Sequence, residues 1–71
     1  MNDDVTAADI CRNDVVRFSR FGAGDRSGRV LECYATNFQG GDYVEVLLQE
    51  SPESERGEWY RLPAELRVEI L

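Results

Sequence analysis

Lysine and histidine are both missing from this chain of 71 residues; its eight basic residues are all arginine, set against 14 acidic ones, for a formal net charge of −6. Without histidine the chain lacks the usual general base and the commonest metal ligand. An acidic, lysine-free surface is poorly suited to neutralising the phosphates of a nucleic acid or to binding anionic membranes. A GC-rich coding bias would leave the same arginine-only signature. Cysteine is scarce too: Cys11 and Cys33 stand alone, with no Cys-x-x-Cys motif, which argues against a zinc site. No apolar run approaches membrane-spanning length. The start, Met1-Asn2-Asp3-Asp4, lacks the basic residues and apolar stretch of a signal peptide. These absences predict a cytoplasmic protein with reduced thiols and no metal.

What remains is a chain long enough for one core. A domain of this size buries roughly 60% of its unfolded surface, which leaves little room for a private catalytic cleft. Sites are expected on the surface or between copies, since small domains often gain stability by self-association. Residues 1–13 read as an N-terminal arm, with Asp3 and Asp4 placed to cap one helical turn around Val5 to Ile10. From Asp14 onward the hydrophobic period is two. Strands are expected at about 14–20, with Val16 and Phe18 on one face, and at 29–36, with Leu31, Cys33 and Ala35 on one face and Glu32 and Thr36 opposite, beside Val30 and Tyr34. Further strands are expected at 43–50, 58–62 and 67–71. Phe21 to Gly28 and Ser51 to Gly57 read as loops, and Gly40-Gly41-Asp42 as a hairpin signal. Pro63-Ala64-Glu65-Leu66 fits a single helical turn before the last strand. This layout predicts an all-β domain over 14–71, a five-stranded SH3-like barrel.

Four features could carry function. In Glu58-Trp59-Tyr60 neighbouring side chains point to opposite faces, so one large aromatic is expected at the surface, as a partner anchor. The segment from Gln49 to Glu58 gathers Glu50, Glu53, Glu55 and Glu58. Such a loop can dock a basic partner or simply keep the chain soluble. Gly22-Ala23-Gly24-Asp25, with Arg20, Arg26 and Arg29 nearby, could hold phosphate, but no helix follows it, so it reads as a turn rather than a dinucleotide fingerprint. Cys33 sits on an apolar face and reads as core, whereas Cys11 has no neighbour that clearly activates it.

The stretch Tyr34-Ala35-Thr36-Asn37-Phe38, followed by Gly41-Asp42-Tyr43-Val44 and Val46, and later Trp59-Tyr60, Leu66 and Ile70, resembles the plasmid-borne type II dihydrofolate reductases over residues 14–70. The resemblance implies an SH3-like barrel of the kind carried on mobile gene cassettes such as integrons. It also implies a tetramer whose central pore holds NADPH and dihydrofolate between Gln-Ile-Tyr strands and a lysine, with catalysis by positioning. The tyrosine of that strand matches Tyr60. The glutamine position falls at Glu58, the isoleucine at Trp59, and the lysine near Phe18 or Ser19. Glu58 carboxylates gathered in one pore would repel each other and the cofactor's phosphates, and Trp59 rings would fill it.

Three functional expectations follow. The first is a non-enzymatic binding module that engages a protein partner, or another copy of itself, through Trp59, Tyr60, Glu58, Glu53 and Glu55, with no catalytic residues and no cofactor. The second is a tetrameric NADPH-dependent reductase that uses Tyr60. The third is an acidic inhibitor of a host nucleic-acid-binding protein. Direct nucleic-acid binding is disfavoured by charge and is left only the arginine patch of Arg17, Arg20, Arg26 and Arg29.

Overall fold

Strand alternation decides which side chains can share a core, and in the computed structural model it builds one antiparallel sheet. The structure describes residues 3–20, 24–53 and 55–71. The strands are β1 (Asp3–Thr6), β2 (Val15–Arg20), β3 (Gly24–Phe38), β4 (Gly41–Gln49), β5 (Glu58–Pro63) and β6 (Arg67–Ile70). They lie in the order β1-β6-β2-β3-β4-β5. The sheet has six strands where five were expected, and it is not closed: β1 and β5 are its two edges.

The sixth strand comes from the arm. Residues Asp3 to Thr6 pair with β6, Val5 opposite Val68, so the segment expected to begin a helical turn starts as strand. A 3-10 turn follows at Ala7–Asp9. The Ala7 and Ala8 amides donate to the carbonyls of Leu66 (2.8 Å) and Ala64 (3.2 Å), and Ala7 and Ile10 are buried. β-branched Val5 and Thr6 favour extended chain, and a lone helical turn is marginal; pairing with β6 satisfies more backbone groups. Before the last strand, Pro63 is still strand. The Leu66 amide closes one turn onto the Pro63 carbonyl at 2.9 Å, and no helix forms there.

β3 departs furthest from the sequence expectation. Gly24 to Gly28, expected as loop, is strand and pairs with β2 from Arg20↔Gly24 to Val16↔Gly28. Residues 21–23 of that expected loop, and with them Gly22-Ala23, lie outside the described residues. The same strand then pairs with β4, from Arg29↔Gln49 to Phe38↔Gly41. Between Val30 and Glu32 the register shifts. Leu31 is the extra residue, and a bulge reverses the phase of alternation. Val30 is therefore fully buried and on the same side as Cys33 and Ala35, while Leu31 leaves the face it was assigned. The β3–β4 hairpin closes through Gln39 (φ 51) and Gly40 (φ 79), a two-residue loop of the primed type that suits strand twist.

The core comprises Ala7, Ile10, Val16, Phe18, Val30, Val44, Val46, Leu48, Leu62 and Val68. These are inward positions of β2, β4, β5 and β6, the phase-corrected Val30 of β3, and Ala7 and Ile10 from the 3-10 turn and the residue that follows it. Phe18 of β2 and Tyr60 of β5 meet edge to face with ring centroids 5.7 Å apart. The sheet thus curls far enough for strands that share no ladder to touch. Among the described residues no helix is long and apolar enough to cross a membrane.

Candidate partner-binding face

The face turned away from this core is organised by β4. Cross-strand pairing places Glu32, Leu47 and Trp59 in one row and Tyr34, Glu45 and Arg61 in the next. Tyr43 lies between Thr36 and Pro63, and Phe38 stands opposite Gly41. Because directly opposed and diagonal side chains on one face are within reach of each other, large residues here meet across β4. Trp59 and Tyr34 do so, with ring centroids 5.9 Å apart at 64°. Both remain about half exposed, at 52% and 56%. Phe38 is 45% exposed, and the Arg61 guanidinium carbon lies 4.6 Å from its ring centroid. The Arg61 Nε donates to Glu45 Oε1 at 2.7 Å.

Gly57 completes one end of the face. Its φ of +69° lets the chain turn into β5, and a side chain there would run into the Leu48 carbonyl and the tips of Leu47 and Leu31. The bulged Leu31 therefore lies beside Leu47 beneath this turn. The result is an aromatic surface floored by half-buried leucines and crossed by the Arg61–Glu45 ion pair.

The residues expected to form the site divide between surfaces. Trp59 faces outward. Tyr60 faces the interior, half-buried against Phe18. Its phenol is held above its ordinary pKa, by burial first and then by the neighbouring Glu50 carboxylate, to which it is hydrogen-bonded. Glu58 is exposed at the start of β5, and Glu53 and Glu55 are exposed on the preceding loop; Ser54 between them lies outside the described residues. The Glu53 amide donates to Ser51 Oγ at 3.3 Å. Trp59 and Tyr60 thus cannot act on one ligand face. Tyr34, Phe38 and Arg61 join Trp59 instead. Tyr34 was visible in the sequence only as an aromatic on the polar side of its strand; its proximity to Trp59 depends on the β3–β4–β5 register.

Other candidates are engaged elsewhere. Within the arginine patch, Arg17 pairs with Glu69 and Arg26 with Glu50; the Arg20 side chain lies outside the described residues. Arg12 pairs with Glu32. Cys33 packs on the core and its thiol donates to the Ile10 carbonyl at 3.5 Å, while Cys11 is exposed. Burial, and next the nearby Cys11, push the Cys33 thiol above its ordinary pKa. A cleft of about 640 Å³ opens between the 3-10 turn and the β3–β4 hairpin. The one charged group in its lining, Asp42, accepts from Asn37 Nδ2 at 3.1 Å. Compared with protein-family models, curated proteins and solved structures, the chain gives no match.

Proposed function

We propose that this chain is a non-enzymatic binding module whose ligand is a basic segment of a protein partner, docked on the outer face of β3, β4 and β5. The carrying observation is the Tyr34–Trp59 pair, half-exposed and in mutual contact on a chain of net charge −6. Exposed aromatic faces attract guanidinium and ammonium groups, worth about 0.5–1 kcal/mol each where solvent reaches them. Arg61 over Phe38 is an intramolecular example on the same face. Glu58, next to Trp59 in the chain, and Glu53 and Glu55 on the loop that leads into β5 are exposed and would favour encounter with a cationic partner. The acidity expected to matter thus steers encounter, and Tyr60 serves the core rather than the ligand.

The curled six-stranded sheet, with Phe18 and Tyr60 in contact across its interior, supports reading the architecture as SH3-like, with the barrel left open between β1 and β5.

Trp59 is the single tryptophan, so its fluorescence reports directly on the site. Titration with an arginine- and leucine-containing peptide should shift its emission saturably, more weakly as salt rises. The glutamate counterpart should leave it unchanged, and Tyr34→Ala should weaken the response several-fold. A tryptophan spectrum indifferent to basic peptides would show the reading to be wrong.

A further inference from the structure

β5 ends the sheet, and its backbone shows which groups face outward. The Ala64 amide donates to the Asp42 carbonyl at 3.0 Å. That pair continues the β4–β5 register, in which Leu62, Tyr60 and Glu58 stand opposite Val44, Val46 and Leu48. Hydrogen-bonded and non-bonded pairs alternate along an antiparallel ladder. Leu62, Tyr60 and Glu58 therefore direct their backbone groups at β4, and Trp59, Arg61 and Pro63 direct theirs at the open edge. Pro63 has no N–H to offer there, so Trp59 and Arg61 supply the complete donor–acceptor sets.

We infer that a second copy of this chain pairs on that edge, β5 against β5, antiparallel about a two-fold axis at Tyr60. The pattern is self-complementary in one register. With Tyr60 on the axis, Trp59 of each copy lies opposite Arg61 of the other, and each pair exchanges both of its backbone bonds. On the outer face the Arg61 guanidinium of one copy then lies beside the Trp59 ring of the other, a favourable cross-strand pair. Centring on Arg61 instead sets arginine against arginine and loses bonds at Pro63. Centring on Trp59 carries Arg61 beyond the end of the strand at Gly57. The other edge is a poor alternative, because β1 is only four residues long. Edge strands are commonly protected by charges, bulges or proline; β5 pairs with β4 without a register shift, its proline lies at the end, and of its two charges, Glu58 and Arg61, the central one meets Trp59 in this register. A two-fold contact of this kind is isologous and closes on itself. It would join two aromatic faces into one surface, yet it uses the backbone edge and stands whether or not that face binds a basic segment.

Sedimentation equilibrium of the full chain, over a series reaching about 1 mM, tests the inference. Wild type should pass from monomer to dimer mass. Arg61→Pro removes an edge N–H without touching the β4–β5 bonds, and should weaken dimerisation at least tenfold while circular dichroism still shows the native sheet. Trp59→Lys, which keeps the backbone but opposes like charges across the axis, should do the same and decides the matter if Arg61→Pro does not fold. A wild type that stays monomeric throughout, even one whose Trp59 responds to basic peptides, overturns the inference. So does a folded variant that dimerises as tightly as wild type.

Discussion

Replacing Gly57 by alanine should destabilise the domain more than the same change at Gly40, and the structure says by how much. Both glycines have positive φ, +69° at Gly57 and +79° at Gly40. Each substitution therefore carries the left-handed backbone penalty, about 1–2 kcal/mol. The surroundings differ. A Cβ on Gly40 would meet open space, whereas one on Gly57 would lie 2.9 Å from the Leu48 carbonyl oxygen and 3.2 and 3.3 Å from Leu47 and Leu31. The carbonyl is backbone inside the β4–β5 ladder and cannot move alone. Overpacking of this kind adds about 1–3 kcal/mol. Gly40→Ala should thus cost about 1–2 kcal/mol and Gly57→Ala about 2–5 kcal/mol. The second is a large share of the ~4–10 kcal/mol expected for a domain of this length. Urea unfolding followed by Trp59 fluorescence measures both. With a slope near ~1 kcal/mol per molar for so small a domain, the midpoints should separate by about 1–3 M. Equal losses at the two sites would refute the argument that Gly57 is fixed by its neighbours as well as by its φ.

The contact between Tyr34 and Trp59 should give a coupling of about 0.5 kcal/mol in a double-mutant cycle to alanine, the lower end for aromatic pairs because both rings are half in water; a coupling of zero would mean the rings do not hold each other in solution. Tyr60 contributes a pH dependence. Its raised folded pKa favours the neutral phenol in the native state, so this stability is fully present below the unfolded value of ~10 and is lost as pH rises through the higher folded value. Unfolding of Tyr60→Phe should lack that alkaline slope. Iodoacetamide mapping by mass spectrometry should find Cys11 modified well before Cys33, whose thiol is half-buried and held above its ordinary pKa; equal rates would contradict this placement.

Much of the fold was legible because period-two alternation survives in β2, β4, β5 and β6. Val16 with Phe18, and Val44, Val46 and Leu48, face the core as their spacing requires. Where reading by alternation failed, a non-local cause can be named. The β3 bulge at Leu31 hides in an unbroken run, Val30-Leu31-Glu32-Cys33, and only pairing with β4 reveals that the phase reverses there. Gly24 to Gly28 has the composition of a loop, yet β2 supplies a partner for each residue. Gly28 is needed because its strand passes so close to the Gln49 backbone that a side chain would collide with it, which is a tertiary requirement and not a turn signal. The candidate site was half legible for the same reason. Trp59 and Tyr60 had to point opposite ways, but neither their directions nor the neighbours Tyr34, Phe38 and Arg61 could be known without the register.

That register also explains why one strand carries so much. β5 is six residues long, and each has three directions available: inward, outward and sideways. Inward, Leu62 is fully buried and Tyr60 lies on Phe18. Outward, Trp59 and Arg61 build the aromatic face. Sideways, the ladder assigns Tyr60 and Leu62 to β4, so the backbone of the outward-facing pair is also the backbone at the open edge. This coincidence of side-chain and hydrogen-bond alternation follows from antiparallel geometry. A change that removes the Trp59 ring alone, Trp59→Ala, should therefore weaken the face far more than the core. Leu62→Ala, one strand step further along the inward side, should cost about 2–5 kcal/mol of stability and leave the outer-face residues Trp59 and Arg61 chemically unchanged. If Trp59→Ala instead unfolded the chain as readily as Leu62→Ala, Trp59 would be part of the packing and the outer face would lose its claim to be a binding surface.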